Sequence, residues 1–103
     1  ECKQCKGNVE LRVNYHSHLL IECIADKNVE VTIKTFPKIL TLDNASFSLI
    51  GIIHYSGGHN IKSVGHYSAY ASYGENWILF DDLLKKCQFV TEDTTVNPVL
   101  SLY

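Results

Sequence analysis

From Val29 the chain alternates, with Val29, Val31 and Ile33 apolar against Glu30, Thr32 and Lys34. A period of two predicts a half-buried strand. Phe36-Pro37 interrupts the run, and residues 38–42 resume it as a second strand up to the turn-forming Asp43-Asn44. Residues 47–55, Phe-Ser-Leu-Ile-Gly-Ile-Ile-His-Tyr, are apolar on nearly both faces, as expected of a strand in the middle of a sheet. Ser56-Gly57-Gly58-His59-Asn60 is turn chemistry, so residues 56–64 are expected to form a loop between strands. Residues 65–72 and 76–81 are two aromatic-rich strands parted by Tyr73-Gly74-Glu75, which predicts a hairpin. Residues 83–87 fit one helical turn or another strand, and residues 98–103 a last short strand. No internal repeat, low-complexity tract or linker interrupts this order.

Composition narrows the class. With 46% hydrophobic and 19% charged residues, the chain is neither disordered, collagen-like nor a coiled coil. At 103 residues it holds one modest core, hence one domain or part of one. Nine basic residues stand against eleven acidic ones without a basic block, so neither nucleic acid nor an anionic membrane is an expected partner. No apolar run approaches the roughly 18 residues of a membrane helix, and Glu1-Cys2-Lys3-Gln4-Cys5 does not open a secretory signal. With no methionine at all, the sequence is expected to begin inside a longer reading frame. The close pair Cys2 and Cys5 suits thiolate chemistry or metal better than a disulfide framework. That favours a reducing, intracellular setting, cytoplasmic or nuclear.

The candidate chemistry lies in the hairpin. A two-residue turn at Tyr73-Gly74 pairs positions whose numbers sum to 147, which sets His66 opposite Asp81. Facing side chains on antiparallel strands have Cβ atoms about 4.5–5.5 Å apart, close enough for a carboxylate to accept an imidazole proton. Such a carboxylate fixes the histidine tautomer and stabilises its charged form, as a general base serving a Cys or Ser nucleophile requires. The alternative is a plain surface cross-strand pair. A one-residue bulge would bring Asp82 into register instead.

The wording around this pair resembles the histidine box of the ubiquitin-specific proteases, which are papain-like cysteine peptidases. The resemblance rests on Gly65-His66-Tyr67-Ser68-Ala69-Tyr70 and Trp77-Ile78-Leu79-Phe80-Asp81-Asp82, with the His54-containing strand before them. Phe36-Pro37-Lys38-Ile39-Leu40 is similar to that family's Pro-x-x-Leu strand, and Val99-Leu100-Ser101-Leu102-Tyr103 to its last strand. The resemblance covers most of the chain from Phe36 onward. It implies a papain-like α+β fold of which this segment is mostly antiparallel β. Residues 1–35 would be fingers-like strands and residues 36–103 a palm-like sheet, all of it the C-terminal part of a catalytic domain completed upstream. By position, His66 matches the catalytic histidine, Asp81 its orienting acid and Asp82 an assisting aspartate. Gly65, Tyr67 and His54 would line the substrate site, with Gly65 leaving room for the substrate tail. Tyr67 and Tyr70 are also read as core or cleft wall, and Trp77 as a core anchor. Residues 56–64 look like the family's blocking loop.

The implied activity is deubiquitination, thiol-dependent hydrolysis after the ubiquitin C-terminal glycine, with ubiquitin or a ubiquitinated protein as partner. Two departures stand out. No Gly-Asn-Thr-Cys-type box is present, and neither Cys23 nor Cys87 opens a glycine-rich helix that would lower a thiol pKa. Between Leu42 and Phe47 only Asp43-Asn44-Ala45-Ser46 remain where the family carries a longer insertion. An inactive ubiquitin-binding or scaffold module, or a protease for a ubiquitin-like modifier, would use the same residues. Catalysis in this class needs no cofactor. Cys2-x-x-Cys5 has the spacing of one knuckle of a zinc ribbon, half of a four-ligand structural zinc site. Its complement would lie upstream, or His16 and His18, which a strand would set on one face, would have to complete it. The other reading is two free thiols at a frayed end.

Overall fold

The computed structural model describes residues 7, 16–23, 30–57 and 65–103. Among them the chain forms β1 (Leu20–Glu22), β2 (Val31–Thr32), β3 (Ile39–Leu42), β4 (Ala45–Ser48) and β5 (Gly51–Ser56). These are followed by β6 (His66–Tyr73), β7 (Asn76–Phe80), β8 (Gln88–Val90), β9 (Thr95–Val96) and β10 (Pro98–Leu102). Helix is limited, among the described residues, to one 3-10 turn at Ile33–Thr35. The expected mostly antiparallel β class is what is found. Six strands make one sheet in the order β1-β10-β5-β6-β7-β8, and β2-β9 and β3-β4 are two-stranded ribbons. Strands on both sides of Phe36 share this sheet, since β1 extends its edge by pairing with β10.

The apolar stretch 47–55 does hold the central strand, but not as one piece. Leu49 donates its N–H to Lys38 O at 2.9 Å, prolonging the β3-β4 ribbon. The next residue, Ile50, donates to Leu102 O at 2.8 Å and so joins the large sheet. The chain changes sheets between these two residues, with the buried Leu49 as the corner. An unbroken apolar run carries no signal for such a corner. Of the alternating run at 29–34, Val29 lies outside the described residues, and among residues 30–34 the strand is shorter than its pattern predicts. Only Val31–Thr32 pairs, with β9, after which Thr35 Oγ1 donates to Thr32 O at 2.6 Å and closes the 3-10 turn. Ile33 is carried inward by that turn and is 1% exposed. Residues 83–87 form neither a helical turn nor a strand but turns and bends.

The hairpin is present, with its turn one residue later than predicted. Tyr73 pairs with Asn76, so Gly74 and Glu75 make the turn and paired numbers sum to 149. Gly74 holds φ at 61°, a left-handed value that glycine adopts without the steric cost of a Cβ. The resulting shift of two residues preserves the face of every side chain. Ile52, Tyr70 and Trp77 therefore point to one side of the sheet, where they bury with Ile33, Phe47, Leu49, Val96 and Tyr103. Tyr103 ties the chain end to this core by donating its hydroxyl to Pro37 O at 2.7 Å.

A Cβ at Gly74 meets no atom within 4 Å, so substitution there tests backbone strain alone. Gly74→Ala is expected to lower stability by about 1 kcal/mol, read as a lower denaturant midpoint at unchanged slope. An unchanged midpoint would show that the turn is not held at this conformation.

Candidate functional site

His66 opens β6 and Asp81 follows the last residue of β7. Continued by one residue, the hairpin register would set Asp81 opposite Ser68, on the face that carries His66 two positions along. The two are diagonal neighbours rather than the direct partners predicted, yet His66 Nε2 and Asp81 Oδ1 are 2.6 Å apart. A diagonal spacing of about 7–8 Å between residues is within reach of side chains that lean toward each other. Asp81 is held in that posture by the turn it begins. Its Oδ1 accepts the Leu83 N–H at 3.0 Å, and its carbonyl accepts the Leu84 N–H at 2.9 Å. The aspartate at a strand exit thus caps the chain reversal with the same oxygen that meets the histidine.

A carboxylate only accepts, so Nε2–H is the donor and the lone pair of neutral His66 lies on Nδ1. Among the described residues Nδ1 has no hydrogen-bond partner. The Leu83 N–H, then the His66 bond, hold the Asp81 carboxyl below its ordinary pKa against the opposing effect of burial. Their side chains are 28% and 19% exposed, so the pair is partly shielded but open to a reactant. Asp82 is different. Its Oδ1 stands 3.4 Å from Nε2 and its side chain is 84% exposed, so it adds charge without fixing the ring.

The residues expected to line the substrate site are placed as follows. Gly65 lies against the Tyr55 ring, and a Cβ built on it would overlap the Tyr55 hydroxyl and ring carbons. The need for glycine there is therefore a tyrosine as much as a substrate. Tyr67 is 61% exposed and stacks obliquely on Tyr55, its cross-strand partner, with centroids 4.9 Å apart. His54 is held on both ring nitrogens by partners within the chain. Its Nδ1 accepts the Asn97 N–H at 2.7 Å, which leaves the proton on Nε2, 3.1 Å from Ser56 Oγ. Both ring nitrogens are engaged inside the protein, joining β5 to the start of β10. Asn97 locks the junction further by donating Nδ2–H to Tyr55 O at 3.3 Å. Neither Tyr55 nor Asn97 was singled out in the sequence. The only signal for Tyr55 was its place on the face of Tyr67, and for Asn97 there was none.

Cys2 and Cys5 lie outside the described residues, as do residues 58–64 of the expected blocking loop. His16 and His18 are exposed and flank a bend before β1, so the same-face strand placement does not hold. Cys23 donates weakly to Ile21 O, and among the described residues no cysteine sulfur bonds to His66. Beside the pair, a recess of about 480 Å³ is lined by Tyr67, Phe80, Asp81, Asp82, Leu84 and Cys87. Its apolar floor is the sheet face opposite the core, where Phe89 is also 70% exposed. No helix among the described residues is long and apolar enough to cross a membrane. Compared with family models, curated proteins and solved structures, the chain matches none.

Burial, chiefly, depresses the His54 pKa, reinforced by His66 and opposed by Glu30 and Asp81. Protonated Nδ1 would also turn a donor toward the Asn97 N–H. The contribution of neutral His54 to stability is therefore full above its unfolded pKa of about 6.5 and is lost as pH falls through the lower folded value. Denaturation midpoints at pH 8 and pH 5 should differ less in His54→Gln, whose amide oxygen still accepts from Asn97, than in the parent. An equal pH dependence in both would remove His54 as its source.

Proposed function

We propose that this chain supplies the general base and its orienting acid to a cysteine-type peptidase of the ubiquitin-specific protease class, with a papain-like fold. The observation that carries the reading is the 2.6 Å contact of His66 Nε2 with Asp81 Oδ1, which leaves Nδ1 unpartnered among the described residues. It joins the Gly-His-Tyr and Phe-Asp-Asp wording of the sequence to the geometry a thiol-activating histidine needs.

In this reading a thiol from preceding sequence approaches Nδ1, which removes its proton. The imidazolium formed is stabilised by Asp81 across the Nε2–H bond. The thiolate attacks the carbonyl carbon of the ubiquitin C-terminal glycine, and as the C–N bond after that glycine breaks, the same Nδ1–H protonates the leaving amine. Water, deprotonated by Nδ1, then releases the acyl group from sulfur. Tyr67 and Gly65 flank His66 along the path of an extended substrate tail. The exposed apolar sheet face is the surface on which the rest of the catalytic domain packs. No metal takes part in the chemistry. Cys2 and Cys5 are proposed as half of a structural zinc site completed upstream.

In the complete protein, His66→Ala should abolish cleavage of a ubiquitin C-terminal amide while ubiquitin binding persists. Asp81→Asn should lower kcat on the order of 10²-fold, the scale of general-base assistance, and Asp82→Asn by no more than about twofold. Turnover retained by His66→Ala would end this reading. Equal losses at both aspartates would end the assignment of orientation to Asp81. The 103-residue chain by itself should not be labelled by a ubiquitin C-terminal electrophile, and labelling of Cys23 or Cys87 dependent on His66 would place the nucleophile within it.

A further inference from the structure

The atoms that make the histidine and acid pair also converge in a second way. One ligand atom from each of His66, Asp81 and Asp82 lies within 4.8 Å of the other two, on a surface that reaches solvent through Asp82. A nitrogen and an oxygen bound to one tetrahedral zinc at about 2.0–2.1 Å each stand about 3.3 Å apart. The 3.4 Å from His66 Nε2 to Asp82 Oδ1 already meets that spacing. The 2.6 Å to Asp81 Oδ1 is a hydrogen-bond length and must open by less than about 1 Å once a cation replaces the shared proton. Asp81 is restrained from leaving by its turn, and Asp82 is free to swing in. One imidazole and two carboxylates are a donor set for zinc and related divalent transition ions, which leaves one position to water or an anionic reactant.

We infer that His66, Asp81 and Asp82 form a low-affinity site for a divalent transition metal ion, and that occupancy switches the histidine off. The ion takes the lone pair of Nε2, so the proton of the neutral ring must move to Nδ1. Nδ1 then becomes a donor and no longer accepts a proton from a thiol. Binding follows from the three donors alone, whereas the consequence for catalysis rests on the function proposed above. Asp82 gains a purpose the general-base reading does not require. It is the ligand that distinguishes a metal site from an oriented histidine.

The probe is Zn²⁺, titrated calorimetrically into the 103-residue chain carrying Cys2→Ser, Cys5→Ser, Cys23→Ser and Cys87→Ser, which removes the competing thiolates. One equivalent should bind, and adding Asp82→Asn should weaken it about 10-fold or more, the scale seen when support around a metal is lost. Because Asp82 is 84% exposed and, among the described residues, caps no turn, this variant does not depend on refolding the core. Adding His16→Gln and His18→Gln instead should leave the affinity unchanged. Undiminished binding in the Asp82 variant, binding abolished in the His16 and His18 variant, or no binding in the parent would each overturn the site. Each result is independent of peptidase activity, so failure here and failure of the proposed function are told apart.

Discussion

The register of the β6-β7 hairpin is the constraint on which the site depends. Gly74, at a φ of 61°, places the reversal at residues 74 and 75 and so determines which end-of-strand residues come together. His66 and Asp81 sit beyond Ala69 and Phe80, the last paired residues of the β6-β7 ladder, so that ladder no longer dictates how their side chains meet, although His66 stays paired with Ser56 of β5. There the Asx-type turn into Leu83 takes over and fixes the carboxylate. A main-chain turn at the far end of the hairpin and a side-chain turn beside the pair thus share the positioning of one hydrogen bond. The arrangement is partly shielded, which strengthens an ionic hydrogen bond without the full cost of burying a charge.

The two histidines on the core-facing side of the sheet show how environment separates roles. His54 lies two strands away from Asp81, but both its nitrogens are held, one by a main-chain donor, and burial lowers its pKa. His66 stands at the strand end with one nitrogen on an acid and the other without a described partner. The first serves as a strut between β5 and β10. The second is available for proton transfer, and the strut stabilises the strand against which His66 is paired through Ser56.

Much of this was legible in the sequence, for reasons that differ by element. The turn at Asp43-Asn44 and the hairpin around Gly74 rest on local chemistry that needs no tertiary context. The meeting of His66 with Asp81 survived a two-residue error in register because strand faces repeat every two residues. The corner at Leu49-Ile50 was hidden because an apolar run looks the same on either side of a change of sheet. The short strands β8 and β9 were missed because Phe89 stays exposed and Thr95-Val96 is only two residues long. Tyr55 and Asn97 were missed for a third reason, since their importance arises from contacts between segments rather than from any spacing along the chain.

The central claim is that Asp81 fixes the tautomer of His66, and the ring nitrogens report this directly. Long-range proton–nitrogen NMR correlations on the side chain at neutral pH should show a protonated Nε2 and an unprotonated Nδ1. Asp81→Asn should shift the tautomer balance while leaving the pattern of His54 unchanged. A ring protonated on Nδ1 in the parent, or a His66 tautomer indifferent to loss of the Asp81 charge, would contradict the account.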